Sequence, residues 1–182
     1  MTPTRPYVVG LDLAAEQSGL ALPDGTTETI IALKAKGRRT LTDDLARIDR
    51  IQAHVHDVLF RLKPDMLVLE DYAAGMHSAA AHRLAEISGS IRLACWRSGV
   101  KLALVNVMHL KIYATGSGKA TKSQMATAAL KRAGLEFPTE DECDAAWARW
   151  LGLDLLGHPQ FPLPDLHRRV LKDVKIAERV AA

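Results

Sequence analysis

Apolar residues fall in two rhythms along the chain. Tyr7 to Leu13 is apolar at nearly every position, the pattern of a strand covered on both faces inside a sheet. Ser18 to Leu22 and Thr27 to Leu33 predict shorter strands, and Pro23-Asp24-Gly25-Thr26 between them carries the turn chemistry of a hairpin. From Leu45 the spacing changes. Ile48, Ile51, Val55, Val58, Leu59 and Leu62 recur at helical intervals, with Thr42 as the expected N-cap and Pro64 as the stop. Met66 to Leu69 predicts a second buried strand, closing at Glu70. A helix rich in Ala, Ser and Gly follows from Ser78 to Trp96, and Leu102 to Val105 is another strand. Helices are then expected over Met108 to Tyr113, Lys122 to Ala133 and Thr139 to Leu156. A proline-bearing segment from Pro159 to Pro164 leads to a charged amphipathic helix near the C-terminus.

A hairpin meander followed by strand–helix alternation implies an α/β fold: a mixed five-stranded sheet flanked by helices, its first three strands antiparallel and the rest parallel. With 182 residues, the chain suits one full-sized domain better than two. Residues 1–158 form the expected domain, and 159–182 a helical extension.

Composition narrows the setting more than the chemistry. No apolar run approaches the roughly 18 residues of a membrane span, so no membrane partner is expected and a cytoplasmic location is. Cys95 and Cys143 have neither paired-thiol nor zinc spacing, and read as small buried hydrophobes. The net charge is only +3, but between Ile87 and Leu135 there is no acidic residue, while Arg92, Arg97, Lys101, Lys111, Lys119, Lys122, Lys131 and Arg132 all fall there. A one-sign stretch of that length suits either a solvated basic face or a polyanion partner such as nucleic acid.

Four carboxylates decide between these. Asp12 shares a strand face with Val8 and Gly10, where an uncompensated buried carboxylate costs several kcal/mol. Glu70 closes a buried strand at its carboxyl end, where α/β sheets gather their chemistry, and Asp71 beside it points the other way. Thr139 and Glu142 fit a capping box, which explains the early acids of the last long helix but not Asp144. Asp144 lies in line with the apolar Trp147, Ala148, Leu151 and Leu155, and Asp141 sits one turn earlier on the same side. Two strand acids and a helical pair, with no histidine or thiol among them, suit all-oxygen ligation of Mg²⁺, with Mn²⁺ as a substitute. Such sites typically hold two ions and hydrolyse phosphodiesters.

At these residues the chain resembles the RuvC-type Holliday junction resolvases of the ribonuclease H-like superfamily. Val9-Gly10-Leu11-Asp12 with Ser18-Gly19-Leu20-Ala21 is similar to the family's opening motif. Leu67-Val68-Leu69-Glu70 resembles its second acidic strand. Thr115-Gly116-Ser117-Gly118-Lys119-Ala120 with Lys122 and Gln124 resembles its basic loop, and Asp141-Glu142-Cys143-Asp144-Ala145-Ala146 its terminal motif. The likeness implies Asp12, Glu70, Asp141 and Asp144 as catalytic metal ligands. It also implies Lys111, Lys119, Lys122 and Tyr72 as DNA contacts, and a homodimer that makes paired cuts in four-way DNA junctions, with the small-residue helix from Ser78 as its seam. Two features depart from the family pattern: Leu13-Ala14 replaces its usual Pro-Gly, and Ala73, next to Tyr72, stands where it has an aromatic wedge. A branched-DNA or RNA-processing nuclease of the same fold, and a catalytically silent nucleic-acid-binding module, are the competing expectations. A nucleotide-binding ATPase would need a second glycine-rich phosphate loop, which Val105-Asn106-Val107-Met108 does not supply.

Overall fold

A computed structural model describes residues 5–14, 16–32, 39–71 and 79–179. The opening strands are β1 (Val8–Asp12), β2 (Gln17–Ala21) and β3 (Thr27–Ile31). The turn between β2 and β3 is closed by Leu22 N–H to the Thr26 carbonyl at 2.8 Å, with Gly25 at φ 97°. Asp24 fixes it further by accepting from the Thr26 amide at 2.9 Å, the Asx pattern expected of that tetrapeptide.

Helix α1 (Leu41–Leu62) begins two residues earlier than the sequence predicted. Thr40, not Thr42, is the N-cap, because Asp43 three residues on completes a reciprocal capping box with it. β4 (Met66–Asp71), α2 (Ala79–Ser98), β5 (Lys101–Asn106), α3 (Val107–Thr115), α4 (Lys122–Ala133) and α5 (Glu140–Leu155) follow in the expected order. Thr121 and Gln124 box the start of α4, and Gly134 in the left-handed region ends it.

The sheet runs β3-β2-β1-β4-β5-β6, with β1, β4 and β5 parallel, β2 antiparallel to β1, and β3 antiparallel to β2. The expectation of five strands and a C-terminal helix is corrected here. Among the described residues, helical structure in the extension is limited to α6 (Asp165–Arg168) and a 3-10 turn (Arg169–Asp173); the chain then adds β6 (Lys175–Ala177) antiparallel to β5. Without β6, the outer edge of β5 would present unpaired backbone groups, and a short lysine-bearing strand covers it.

Alternation along the strands divides the interior into two cores. Val9, Leu11, Leu67 and Leu69 face α1 and α2 through Ile51, Val55, Ile87 and Ile91. Val8, Met66, Val68 and Val105 face the other way, toward Tyr113, Trp147, Trp150 and Leu151. α5 is buried all round from Glu142 to Asp154 rather than along one stripe, because the sheet lies beneath it while α3, α4 and the extension cover its other sides. Its approach is close: a methyl at Gly10 would fall 2.0 Å from the Ala145 carbonyl oxygen, and one at Gly19 2.0 Å from that of Asp141. Cys95 and Cys143 are free and buried, as their spacing implied. Among the described residues no helix is long and apolar enough to cross a membrane.

Candidate active site

β1 and β4 are parallel neighbours whose last paired residues are Leu11 and Leu69, so the next residue on each strand, Asp12 and Glu70, emerges side by side at the carboxyl end of the sheet. α5 crosses above them. Because it rests on Gly10 and Gly19, its second turn delivers Asp144 to the same point. One oxygen each from Asp12, Glu70 and Asp144 lies within 4.8 Å of the other two.

Burial makes this arrangement costly. Asp12 is 8% and Asp144 3% exposed. Loss of solvent, and then the charges of Glu70 and Asp144, raise the Asp12 carboxyl well above the usual carboxylate range. Glu70 is lifted to about 7, by burial first and the Asp144 charge second. Burial likewise raises Asp144, although the hydrogen bond from Lys122 opposes it. Lys122, the first residue of α4, donates through Nζ to Asp144 Oδ2. Burial works against its charge, but the Asp144 hydrogen bond and the surrounding carboxylates outweigh that and lift the ammonium to about 12. Lys111 on α3 adds positive potential at Glu70 and Asp144.

Asp141 differs from the expectation. It is only partly buried and is not in the tight group, acting on Asp12 and Glu70 through its charge from one turn away. Lys119 is exposed on the loop before α4. Tyr72 lies outside the described residues. Asp71 does turn away from the cluster, pairing with Arg92 at 2.7 Å and Lys175 at 3.2 Å.

Glu142 carries a role that the capping motif concealed. Its backbone N–H is capped by the Thr139 hydroxyl, but its carboxylate does not reach back to Thr139. It accepts instead from the Thr27 and Thr29 hydroxyls of β3, at 2.6 Å each, and is 4% exposed. Two threonines spaced by two on one strand share a face, and this was the available signal. The clamp ties the hairpin to the turn of α5 that bears Asp144.

The cluster fits a hard divalent cation. Three carboxylates face one ammonium, every donor is oxygen, and Asp144 Oδ1 is buried with no hydrogen-bond partner among the described residues. An ion held by Asp12, Glu70 and Asp144 would offset the repulsion and desolvation that raise these groups.

The family model described as "Crossover junction endodeoxyribonuclease RuvC" matches residues 8–148. Curated proteins of that name include one from Thermobifida fusca, 25% identical over 177 residues, covering 94% of this chain and 97% of that protein. Another, from Mannheimia succiniciproducens, is 27% identical over 76% of this chain and 70% of its own length. A third, from Colwellia psychrerythraea, is 30% identical over 57% of this chain and 59% of its own length. The solved structure of Thermus thermophilus RuvC superposes with a TM-score of 0.62 at 21% identity, over 86% of this chain and 99% of that one. The same protein in complex with a Holliday junction substrate gives 0.63 at 22% identity, over 79% and 90%. The shared architecture is the ribonuclease H-like mixed sheet flanked by helices. With residues 8–148, from β1 into α5, matched by the family model, this chain belongs to the RuvC family of crossover junction endodeoxyribonucleases.

Proposed function

We propose that this protein is a divalent-metal-dependent DNA endonuclease that resolves four-way junctions by paired incision. The observation that carries the reading is the convergence of Asp12, Glu70 and Asp144, buried and within 4.8 Å, beside Lys122. The family's name describes an endodeoxyribonuclease, and its Thermus thermophilus member has been solved on a Holliday junction.

Asp12, Glu70 and Asp144 would hold the ions, with Asp141 adding negative potential at the rim. All-oxygen ligation selects Mg²⁺, with Mn²⁺ as a substitute. When bound, such ions make a water more nucleophilic and offset charge on the departing oxygen of an in-line phosphodiester displacement. The chain's own groups do the positioning. Lys122 orients Asp144 and stays charged, so it can also meet a scissile phosphate. Lys111 and exposed Lys119 extend positive potential along the same edge, and Tyr72, next after β4 in sequence, is a further proposed DNA contact. The Thr27–Glu142–Thr29 clamp holds α5 so that Asp144 keeps its place.

The acting unit is a homodimer joined through α2. His82, Glu86, Gly89, Leu93 and Trp96 form an exposed seam spaced alternately by four and three; Leu93 is 46% and Trp96 49% exposed, and a methyl at Gly89 would meet nothing within 4 Å among the described residues.

The test is a nicking assay on a mobile four-way junction in Mg²⁺, with both strands mapped, against a flap, a linear duplex and structured RNA. Symmetrical incisions on the junction are expected. Asp144→Asn should lower the rate by at least about a thousandfold while junction binding stays within a fewfold, since the change removes a metal ligand and no phosphate contact. Preference for RNA, or junction binding without nicking in either Mg²⁺ or Mn²⁺, would overturn the assignment.

A further inference from the structure

The segment beyond α5 lies outside the span matched by the family model, yet it grips the helix that leads into the basic loop. We infer that His167 and Arg168 are positioning residues: they brace the end of α3 and so fix the loop of residues 116–121, which carries Lys119 and delivers Lys122. This rests on the nuclease reading, because that reading assigns the two lysines to phosphate.

A helix leaves its last carbonyls without intrahelical partners. Tyr113 is two residues from the end of α3, and its carbonyl oxygen lies 2.9 Å from His167 Nδ1. A carbonyl can only accept, so Nδ1 carries the proton and His167 supplies the missing cap from another element. The other ring nitrogen faces Gly116, the left-handed residue that ends α3 at φ 84°; a methyl there would lie 2.9 Å from Nε2. Arg168 takes the opposite end of the same tyrosine. Its Nε and Nη2 donate to the two oxygens of Asp154 at 3.0 and 2.7 Å, and the Tyr113 hydroxyl donates to Asp154 Oδ2 at 3.2 Å. The Asp154 side chain is fully buried, so this fork is a fixed point. Tyr113 is thereby held at its carbonyl by His167 and, through Asp154 of α5, at its hydroxyl by Arg168.

From that fixed helix end, local bonds carry order forward. The Ser117 amide donates to Thr115 Oγ1 at 3.2 Å, and the Lys119 amide to Ser117 Oγ at 3.3 Å. Ala120 N–H then reaches the Ser117 carbonyl at 3.2 Å, and Thr121 caps α4, whose first residue is Lys122. None of these contacts touches the carboxylates. Loss of the brace should therefore loosen the loop without emptying the metal site.

The experiment uses full-length protein and His167→Leu, which keeps bulk but removes the donor, with His167→Asn, whose amide nitrogen can replace Nδ1, as rescue. Hydrogen exchange of the amides of residues 116–120 should speed about tenfold in the leucine variant. KM for a four-way junction should rise about tenfold, while kcat and calorimetric Mn²⁺ affinity stay within twofold. The asparagine variant should restore both exchange and KM, and Arg168→Met should reproduce the leucine phenotype more weakly. Unchanged loop exchange overturns the inference. So does a parallel fall of KM performance, kcat and Mn²⁺ affinity, or failure of asparagine to rescue. If the wild type nicks no junction, the nuclease reading fails, and loop exchange alone still decides whether the brace exists.

Discussion

At Asp144 one carboxylate oxygen is held by Lys122 and the other is buried without a partner among the described residues, so the side chain is stable only while something balances its charge. Asp12 and Glu70 share the problem, and together they make stability depend on pH. Their folded-state pKa values lie above those of an unfolded chain, near 4. The folded state therefore keeps protons that the unfolded state gives up. That contribution is full below about pH 4 and is lost as pH rises through the Glu70 value of about 7. Lys122, lifted to about 12, stays charged across the window. In EDTA, Tm should fall between pH 5 and pH 8, and Mg²⁺ should flatten the slope by taking the proton's place; calorimetry at several pH values checks both. A Tm that climbs with pH in EDTA contradicts the geometry. Arg47 is the second residue under tension. Its side chain is fully buried, Nε, Nη1 and Nη2 make no hydrogen bond among the described residues, and Asp44 stands 3.5 Å away. Asp44 keeps Arg39 at 3.4 Å, so Arg47→Met leaves no orphaned charge and should stabilise the protein by about 1–3 kcal/mol in chemical denaturation. The strand acids were legible because a carboxylate in an apolar run demands compensation. The side-chain role of Glu142 was not, since its capping position already explained it and its threonine partners lie 113 and 115 residues away.

Among the elements, α5 does most to form the site, and it does so by lying unusually close to the sheet. Gly10 and Gly19 are required there by space, not by backbone angle. Gly10→Ala would drive a methyl into the Ala145 carbonyl and should cost about 3 kcal/mol, the upper range for overpacking a dense core. Gly19→Ala presses on the Asp141 carbonyl and would lift the first turn of α5, so Mn²⁺ affinity should fall alongside stability. Titration calorimetry on the two variants, with urea denaturation, separates these effects; a tolerated Gly19→Ala with full Mn²⁺ affinity would show that the helix has slack. Elements whose signals are local were readable in advance. α4 is bounded by Thr121 and Gln124 at one end and Gly134 at the other, and β1, β4 and β5 by their apolar runs. β6 was not readable. Three exposed residues, Lys175-Ile176-Ala177, hold strand geometry only because β5 offers an edge more than 70 residues earlier, and the alternating charges around them mimic a solvated helix.

Over the whole molecule, the acid-free stretch from Ile87 to Leu135 divides between two places. Arg92 and Lys101 pair with Asp71 and Glu178 near the β5–β6 edge, while Lys111, Lys119 and Lys122 belong to the elements that flank the carboxylates. Charge counted along the sequence could not tell these surfaces apart, because the fold separates them. The remaining large-scale feature is the α2 seam, where Leu93 and Trp96 are about half exposed on one helix face. Two copies joined along that seam would place two acidic clusters on one junction and let the second incision follow the first before the substrate leaves. Leu93→Asp puts a charge at the centre of the contact without touching either core, so the subunit should stay folded while light scattering reports a monomer. A supercoiled plasmid that extrudes a cruciform reads the consequence. Paired cuts across the junction give linear DNA, whereas a lone cut relaxes the cruciform and leaves a nicked circle. The wild type should yield mainly linear product and Leu93→Asp mainly nicked circles. Linear product from a proven monomer would mean that α2 does not couple the two cuts.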